Sequence, residues 1–118
     1  MTHYIDGFTL PIPRKNLENY KKLSHTIANI WKEYGALDYR EYIGDDLTLA
    51  GTQSFSALVK ATDDEVIVFG WVEFKSREER DLINKKVAAD PRMEQLVSSS
   101  NSGFDAMRML YGGFKPLV

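Results

Sequence analysis

Four charged residues fall where strand patterns should bury them. Asp6, Glu41, Glu73 and Arg108 each sit in a run that reads as a strand, and a buried charge without a partner is costly. If they share an interior near Tyr39 and Trp71, they form a carboxylate and guanidinium cluster. Paired carboxylates in such a place could have raised pKa values and act as acid or base. Glu73 and Arg108 are the expected ion pair. The plainer alternative for each residue is a structural ion pair or simple exposure on an edge strand, since both perturb charges as active sites do.

Other chemistry is thinly supplied. His25 lies on the polar side of a helical pattern and His3 lies near the start of the chain, so the convergent ligands that a metal or haem site needs are missing. There are no cysteines, which removes disulfides, thiolate catalysis and cysteine-bound metals together. No cofactor and no metal is implied. Gly112-Gly113 lacks the strand, loop and helix context of a phosphate loop. Asp45-Asp46 and Asp63-Asp64 match no calcium loop and read as solvated turns. Trp31 and Tyr34 read as core, and Met107 and Met109, placed on one strand face, as core or interface.

The strand that must organise the rest is Glu65 to Phe74. Val66, Val68, Gly70, Val72 and Phe74 fall on one face; Ile67, Phe69, Trp71 and Glu73 fall on the other. Both faces are apolar, as in a strand covered on two sides. Before it, Tyr4 to Leu10 reads as a first strand ended by Pro11-Ile12-Pro13. Arg14 to Tyr34 carries Leu17, Tyr20, Ser24, Ile27, Trp31 and Tyr34 at helical spacing, with Gly35 as the stop. Leu37 to Ile43 is a second strand, followed by a long loop from Gly44 to about Gln53. Ser54 to Lys60 alternates, a candidate short strand or an extension of the second, which would form a hairpin with the run ending at Glu73.

Ser76-Arg77-Glu78-Glu79 is a capping box, opening a helix with Leu82, Ile83 and Val87 as its expected buried stripe. Asp90-Pro91 starts another short helix, with Met93, Leu96 and Val97 apolar. Ser98 to Gly103 has the composition of a flexible linker with an irregular path. Phe104 to Phe114 reads as the last strand, where Gly112-Gly113 marks a bulge or a close backbone approach. The order strand, helix, strand, strand, helix, strand is the βαββαβ, ferredoxin-like pattern of an α+β fold. Its helices cover one face of an antiparallel sheet. Trp71 and Phe69 on the other face need cover, which a second copy would supply as a homodimer with a barrel-like interface.

The 118 residues make most simply one domain, 1–118, with 43% hydrophobic and 27% charged residues. The net charge of −2 with interspersed signs carries no basic stripe, so no nucleic-acid partner is expected. No apolar run approaches membrane-span length, and Met1-Thr2-His3-Tyr4-Ile5-Asp6 lacks the features of a signal peptide. A cytoplasmic location fits both.

The chain resembles the YbaA-like family, small bacterial proteins of unknown function. The matching segments are Tyr4-Ile5-Asp6-Gly7-Phe8, Gly35-Ala36-Leu37 with Glu41, Val68-Phe69-Gly70-Trp71, Arg80-Asp81 with Asn84 and Lys86, Asp90-Pro91-Arg92-Met93, and Phe104-Asp105 followed by Arg108 to Phe114. The resemblance implies the dimeric α/β-barrel superfamily, which holds cofactor-independent monooxygenases, haem-binding enzymes and proteins with no known activity, so the fold does not set the function. Two departures are visible: Ser102-Gly103 stands where the family usually has Met-Pro, and Ala106-Met107 where it has Gly-Lys. The expectation is a small-molecule binder with a barrel cavity. Two alternatives stay open, a monooxygenase- or isomerase-like enzyme and a non-catalytic interaction protein.

Overall fold

The computed structural model describes residues 3–118; Met1 and Thr2, part of the stretch read against a signal peptide, lie outside it. Its described residues form an α+β fold of four strands and four α-helices: β1 (Tyr4–Pro13), α1 (Leu17–Glu33), β2 (Asp38–Ile43), α2 (Phe55–Leu58), β3 (Glu65–Phe74), α3 (Arg77–Ala89), α4 (Pro91–Ser99) and β4 (Leu110–Phe114). The sheet is antiparallel throughout, in the order β2-β3-β1-β4. Strands β3 and β1 are the inner pair, as their apolar content requires.

Strand β1 runs through both prolines instead of stopping at them. The Arg14 amide donates to the Asp64 carbonyl at 2.9 Å, so even-numbered amides of β1 point at β3. Pro11 and Pro13 therefore lack an N–H only on the β4 side, where pairing ends at Thr9 opposite Leu110. No ladder bond is lost, which is how an edge tolerates proline.

Helices α1, α3 and α4 lie on one face of the sheet. Their core joins Ile30, Val72, Phe74, Ile83 and Val87, with Met93 and Leu96 packed against it; a second cluster joins Leu10, Ile12, Tyr20, Val66 and Val68. The Ser76 hydroxyl caps α3 by accepting from the Glu79 amide at 3.1 Å, and Asp90 caps α4 by accepting from the Arg92 amide at 2.9 Å. Gly35 ends α1 with φ +114°, a conformation that L side chains rarely adopt. The inward stripe of α3 is Arg80, Ile83, Asn84 and Val87. Leu82, expected there, is 48% exposed, because the stripe follows the spacings of three and four from Ile83.

Three further expectations change. Ser54 to Lys60 is no strand: the Ser54 hydroxyl accepts from the Ser56 amide at 3.1 Å and caps α2. Phe55 then packs edge-on against Phe69 at 5.9 Å, on the sheet face opposite the three longer helices. Val59, Thr9, Pro11 and Ile67 are buried, so this segment covers one end of the outer face that seemed to need a second copy. Ser98 and Ser99, expected in the irregular linker, are the last turn of α4; residues 100–105 follow an irregular path, but Asn16 and Asn19 both donate to the Asn101 carbonyl, at 3.0 and 3.2 Å, and tie it to the start of α1. The last strand begins only at Leu110; Ala106–Arg108 form a 3₁₀ turn with Met107 93% exposed. Asp105 makes that turn by accepting from the Met107 amide at 3.0 Å. The expected close approach at Gly113 is real, for the Tyr4 ring occupies the space that a side chain there would fill.

Candidate functional site

Three cross-strand rows set the helix-side floor of the sheet. Tyr39, Val72 and Asp6 form one, Glu41, Gly70 and Phe8 the next, and Ile43, Val68 and Leu10 the third. Gly70 is needed in the middle row: a Cβ there would lie 2.6 Å from both the Arg40 carbonyl and the Phe8 ring. Two tyrosines converge on Glu41. Tyr20, reaching down from α1, donates its hydroxyl to one carboxylate oxygen, and Tyr39, on the same strand, donates to the other at 3.0 Å. Burial, then the Glu41 charge, pushes both phenols well above their usual range. A tyrosinate here would be desolvated beside a carboxylate, so both hydroxyls stay protonated.

Asp6, only 3% exposed, is held differently. Arg80 donates to one carboxylate oxygen at 2.9 Å and Asn84 to the other at 2.8 Å. The network continues outward from both. Asn84 accepts from the Trp31 indole N–H at 3.0 Å, and Arg80 also donates to the hydroxyls of Tyr111 and Tyr4, at 3.0 and 3.2 Å. Burial and Asp6 together push the Tyr111 phenol up to about 12. Three elements thus meet at one buried ion pair, which stabilises it only while both charges are present.

A pocket of about 270 Å³ lies between these groups, under α1 and α4. Its walls are apolar and aromatic, among them Ile27, Trp31, Met93 and Phe104, and its polar groups include Glu41 with its two tyrosines and Asp6 with Asn84. The Trp31 and Tyr39 rings lie 5.9 Å apart at 47°. An apolar chamber with a few convergent polar groups is the usual form of a small-molecule site. A shallower cleft of about 390 Å³ runs between α1 and β2, bordered by Lys21 and His25. Tyr20, Ser24, Tyr39 and Glu41 border both spaces, so the tyrosine-carboxylate group forms the wall between cleft and pocket. Phe104, from the stretch where this chain departs from the family pattern, is part of the pocket lining.

The six residues expected in one cluster divide. Asp6, Tyr39 and Glu41 share the helix-side pocket. Trp71 and Glu73 do not join them, because Tyr39 pairs with Val72 and the odd-numbered residues of β3 face the other way. Trp71 stacks on Tyr42 at 5.4 Å, and Glu73 bonds His3. Arg108 pairs with Glu65 at 2.6 and 2.8 Å and with Asp105 at 3.0 Å, not with Glu73. It sits in the 3₁₀ turn before β4, at the end of β3 where Glu65 lies. Tyr20, Arg80, Asn84 and Tyr111 were not singled out as site residues. A signal for two of them existed: Arg80 and Asn84 are four apart, on the same stripe as Ile83 and Val87. Among the described residues there is no group of three or more His, Asp or Glu side chains able to hold a metal. No helix among them is long and apolar enough to cross a membrane.

The family model for the protein of unknown function DUF1428 matches residues 3–106. This chain belongs to the DUF1428 family. It is 36% identical to the uncharacterized protein YbaA of Escherichia coli strain K12 over 115 residues, which span 98% of this chain and 97% of that one. It is equally similar to the uncharacterized YbaA of Shigella flexneri. The fold also matches a crystal structure of a conserved protein of unknown function from Bacteroides thetaiotaomicron, described as a possible oxidoreductase. The TM-score is 0.55 at 9% identity, covering 97% of this chain and 96% of that one. Likeness at that identity speaks of the fold alone.

Proposed function

We propose that this DUF1428 protein binds a small, largely apolar molecule in the pocket between its sheet and helices, and that it does so as a homodimer. The pocket carries the reading: an apolar chamber of about 270 Å³ with the Glu41 carboxylate and the two phenols bonded to it in its wall is open space that a domain of this size would otherwise fill. On this reading the ligand lies under the helices, beside Tyr39, Glu41 and Asp6. The strand order β2-β3-β1-β4 supports the ferredoxin-like pattern, with α2 added on the outer face. Tyr42, Phe69, Leu110 and Phe114 remain exposed on that face, a contiguous apolar patch of the kind that marks an interaction surface. Its burial against a second copy is the reading that fits a dimeric α/β barrel. A second functional reading, turnover by proton transfer, is favoured by Glu41 alone: a carboxylate between two neutral phenols can take a proton from a bound substrate.

The test uses Trp31 as reporter. In a Trp71→Phe background, Trp31 is the remaining tryptophan and lines the pocket. A neutral apolar fluorescent probe such as N-phenyl-1-naphthylamine should quench Trp31 with one site per chain, and Ile27→Trp, which fills the pocket, should abolish the probe's own emission gain. Equal probe binding in the filled variant would refute the site.

A further inference from the structure

The chemical class of the ligand follows from which hydrogen-bonding groups of the pocket are already engaged. The Trp31 indole N–H is given to Asn84, an Asn84 amide hydrogen to Asp6, and both tyrosine hydroxyls to Glu41. The Arg80 guanidinium is committed to Asp6, Tyr4 and Tyr111. Apart from the second Asn84 amide hydrogen, these donors face each other, and Arg80 does not line the space. What remains available at the wall is mostly acceptor capacity, above all on Glu41, since a carboxylate has about four lone-pair sites and the tyrosines take two.

The charges are equally one-sided. Asp6 is matched by Arg80. Glu41 takes part in no ion pair among the described residues; Lys21 and His25 border the outer cleft, but neither forms an ion pair with it. The pocket therefore contains one carboxylate without a countercharge, in an apolar setting where such a charge is costly. Next to it stand the faces of Tyr39, Trp31 and Phe8, with Tyr39 centred 5.9 Å from Trp31 and 6.3 Å from Phe8. Aromatic faces beside a carboxylate attract a desolvated cation twice over, through the ring quadrupole and through the charge.

We infer that the pocket selects a small organic cation, an ammonium or quaternary ammonium group carried on an apolar or aromatic body. The head group sits at Glu41 against the Tyr39 and Trp31 rings, and the body lies along Ile27 and Met93. This rests on the proposed ligand site, and it adds the charge class. An anionic ligand is disfavoured by the same carboxylate, and a neutral one gains the apolar contacts and at most a hydrogen bond to Glu41, without the charge attraction.

The experiment titrates the intact protein with three aromatic probes of nearly one size and different charge: benzylammonium, benzyl alcohol and benzoate, followed by Trp31 fluorescence in the Trp71→Phe background. The expected order is cation first, neutral second, anion last. Glu41→Gln, which keeps the shape and an acceptor, should weaken the cation about tenfold and leave benzyl alcohol unchanged. Benzyl alcohol binding as tightly as the cation, or a cation affinity indifferent to Glu41→Gln, overturns the charge class while the site stands. No binding of any probe, together with an Ile27→Trp variant that changes nothing, overturns the site and the inference with it. If Glu41→Gln does not fold, the order of the three probes on the parent protein decides.

Discussion

Removing the guanidinium from the Asp6–Arg80 pair should be among the most damaging single changes available in this fold. Arg80→Met keeps the aliphatic stem that packs beside Ile83 and Val87 but leaves Asp6, 3% exposed, with Asn84 as its remaining donor. It also frees the Tyr4 and Tyr111 hydroxyls that Arg80 now binds. Breaking a buried pair from one side costs about 3–5 kcal/mol, because the surviving charge is stranded. For a domain of this length each kcal/mol lowers Tm by roughly 3–5 °C, so the expected drop is about 10–25 °C. Circular dichroism during heating and in urea reads this directly. The decisive comparison is a double-mutant cycle with Asp6→Asn, in which the neutral amide no longer needs the cation. The double variant should recover at least about 1 kcal/mol relative to the sum of the single losses. Simple additivity, or a loss from Arg80→Met below about 1 kcal/mol, would refute the reasoning that this network pins β1 to α3.

Further outcomes follow from other contacts. Arg108, by its hydrogen bonds, holds the Glu65 carboxyl down from 4.5 to about 2; stability from this pair is present above the unfolded value of 4.5 and lost as pH falls toward 2. The stability gap between the parent protein and Arg108→Met should therefore narrow across that window, and a constant gap in acid titrations of unfolding would contradict it. Gly70→Ala should cost about 1–3 kcal/mol, since its methyl would meet the Arg40 carbonyl and the Phe8 ring at 2.6 Å; an unchanged urea midpoint would show that β2 can shift. Sedimentation at micromolar concentration should give about twice the 13.5 kDa chain mass, and Phe69→Asp, placed at the centre of the proposed interface, should halve it. A parent protein that stays monomeric throughout dilution would leave the outer face covered by α2 alone.

Local patterns carried most of the element list. Strand β3 lies at Glu65 to Phe74 as read, because ten residues of β-branched and aromatic character bounded by turns admit little else. The caps at Ser76 and Asp90 are hydrogen bonds between near neighbours, so they are legible in a line of text. The failures were of two kinds. The prolines at 11 and 13 were read as a stop, yet whether a missing N–H matters depends on which side the neighbouring strand ends. Ser54 to Lys60 alternated like a strand, but a serine cap and the packing of Phe55 on Phe69 made it a helical turn.

The candidate site shows the same division. That Asp6, Glu41 and Glu73 are carboxylates in strands, that Trp71 shares a face with Phe69, and that Tyr20 and Trp31 lie on one side of a helix all follow from chain order and from the periods of 2.0 and 3.6 residues. Which residues meet does not follow from these periods. Register placed Tyr39 opposite Val72 instead of Trp71 and so sorted five of the six expected residues onto two faces, while Arg108 lies in a turn outside the sheet. The angle at which α1 and α3 cross the sheet brought Tyr20 to Glu41 and Arg80 to Asp6, across 21 and 74 residues of chain. Contacts that distant are set by how layers pack, a property of the whole sheet and all its helices, which no window along the chain contains.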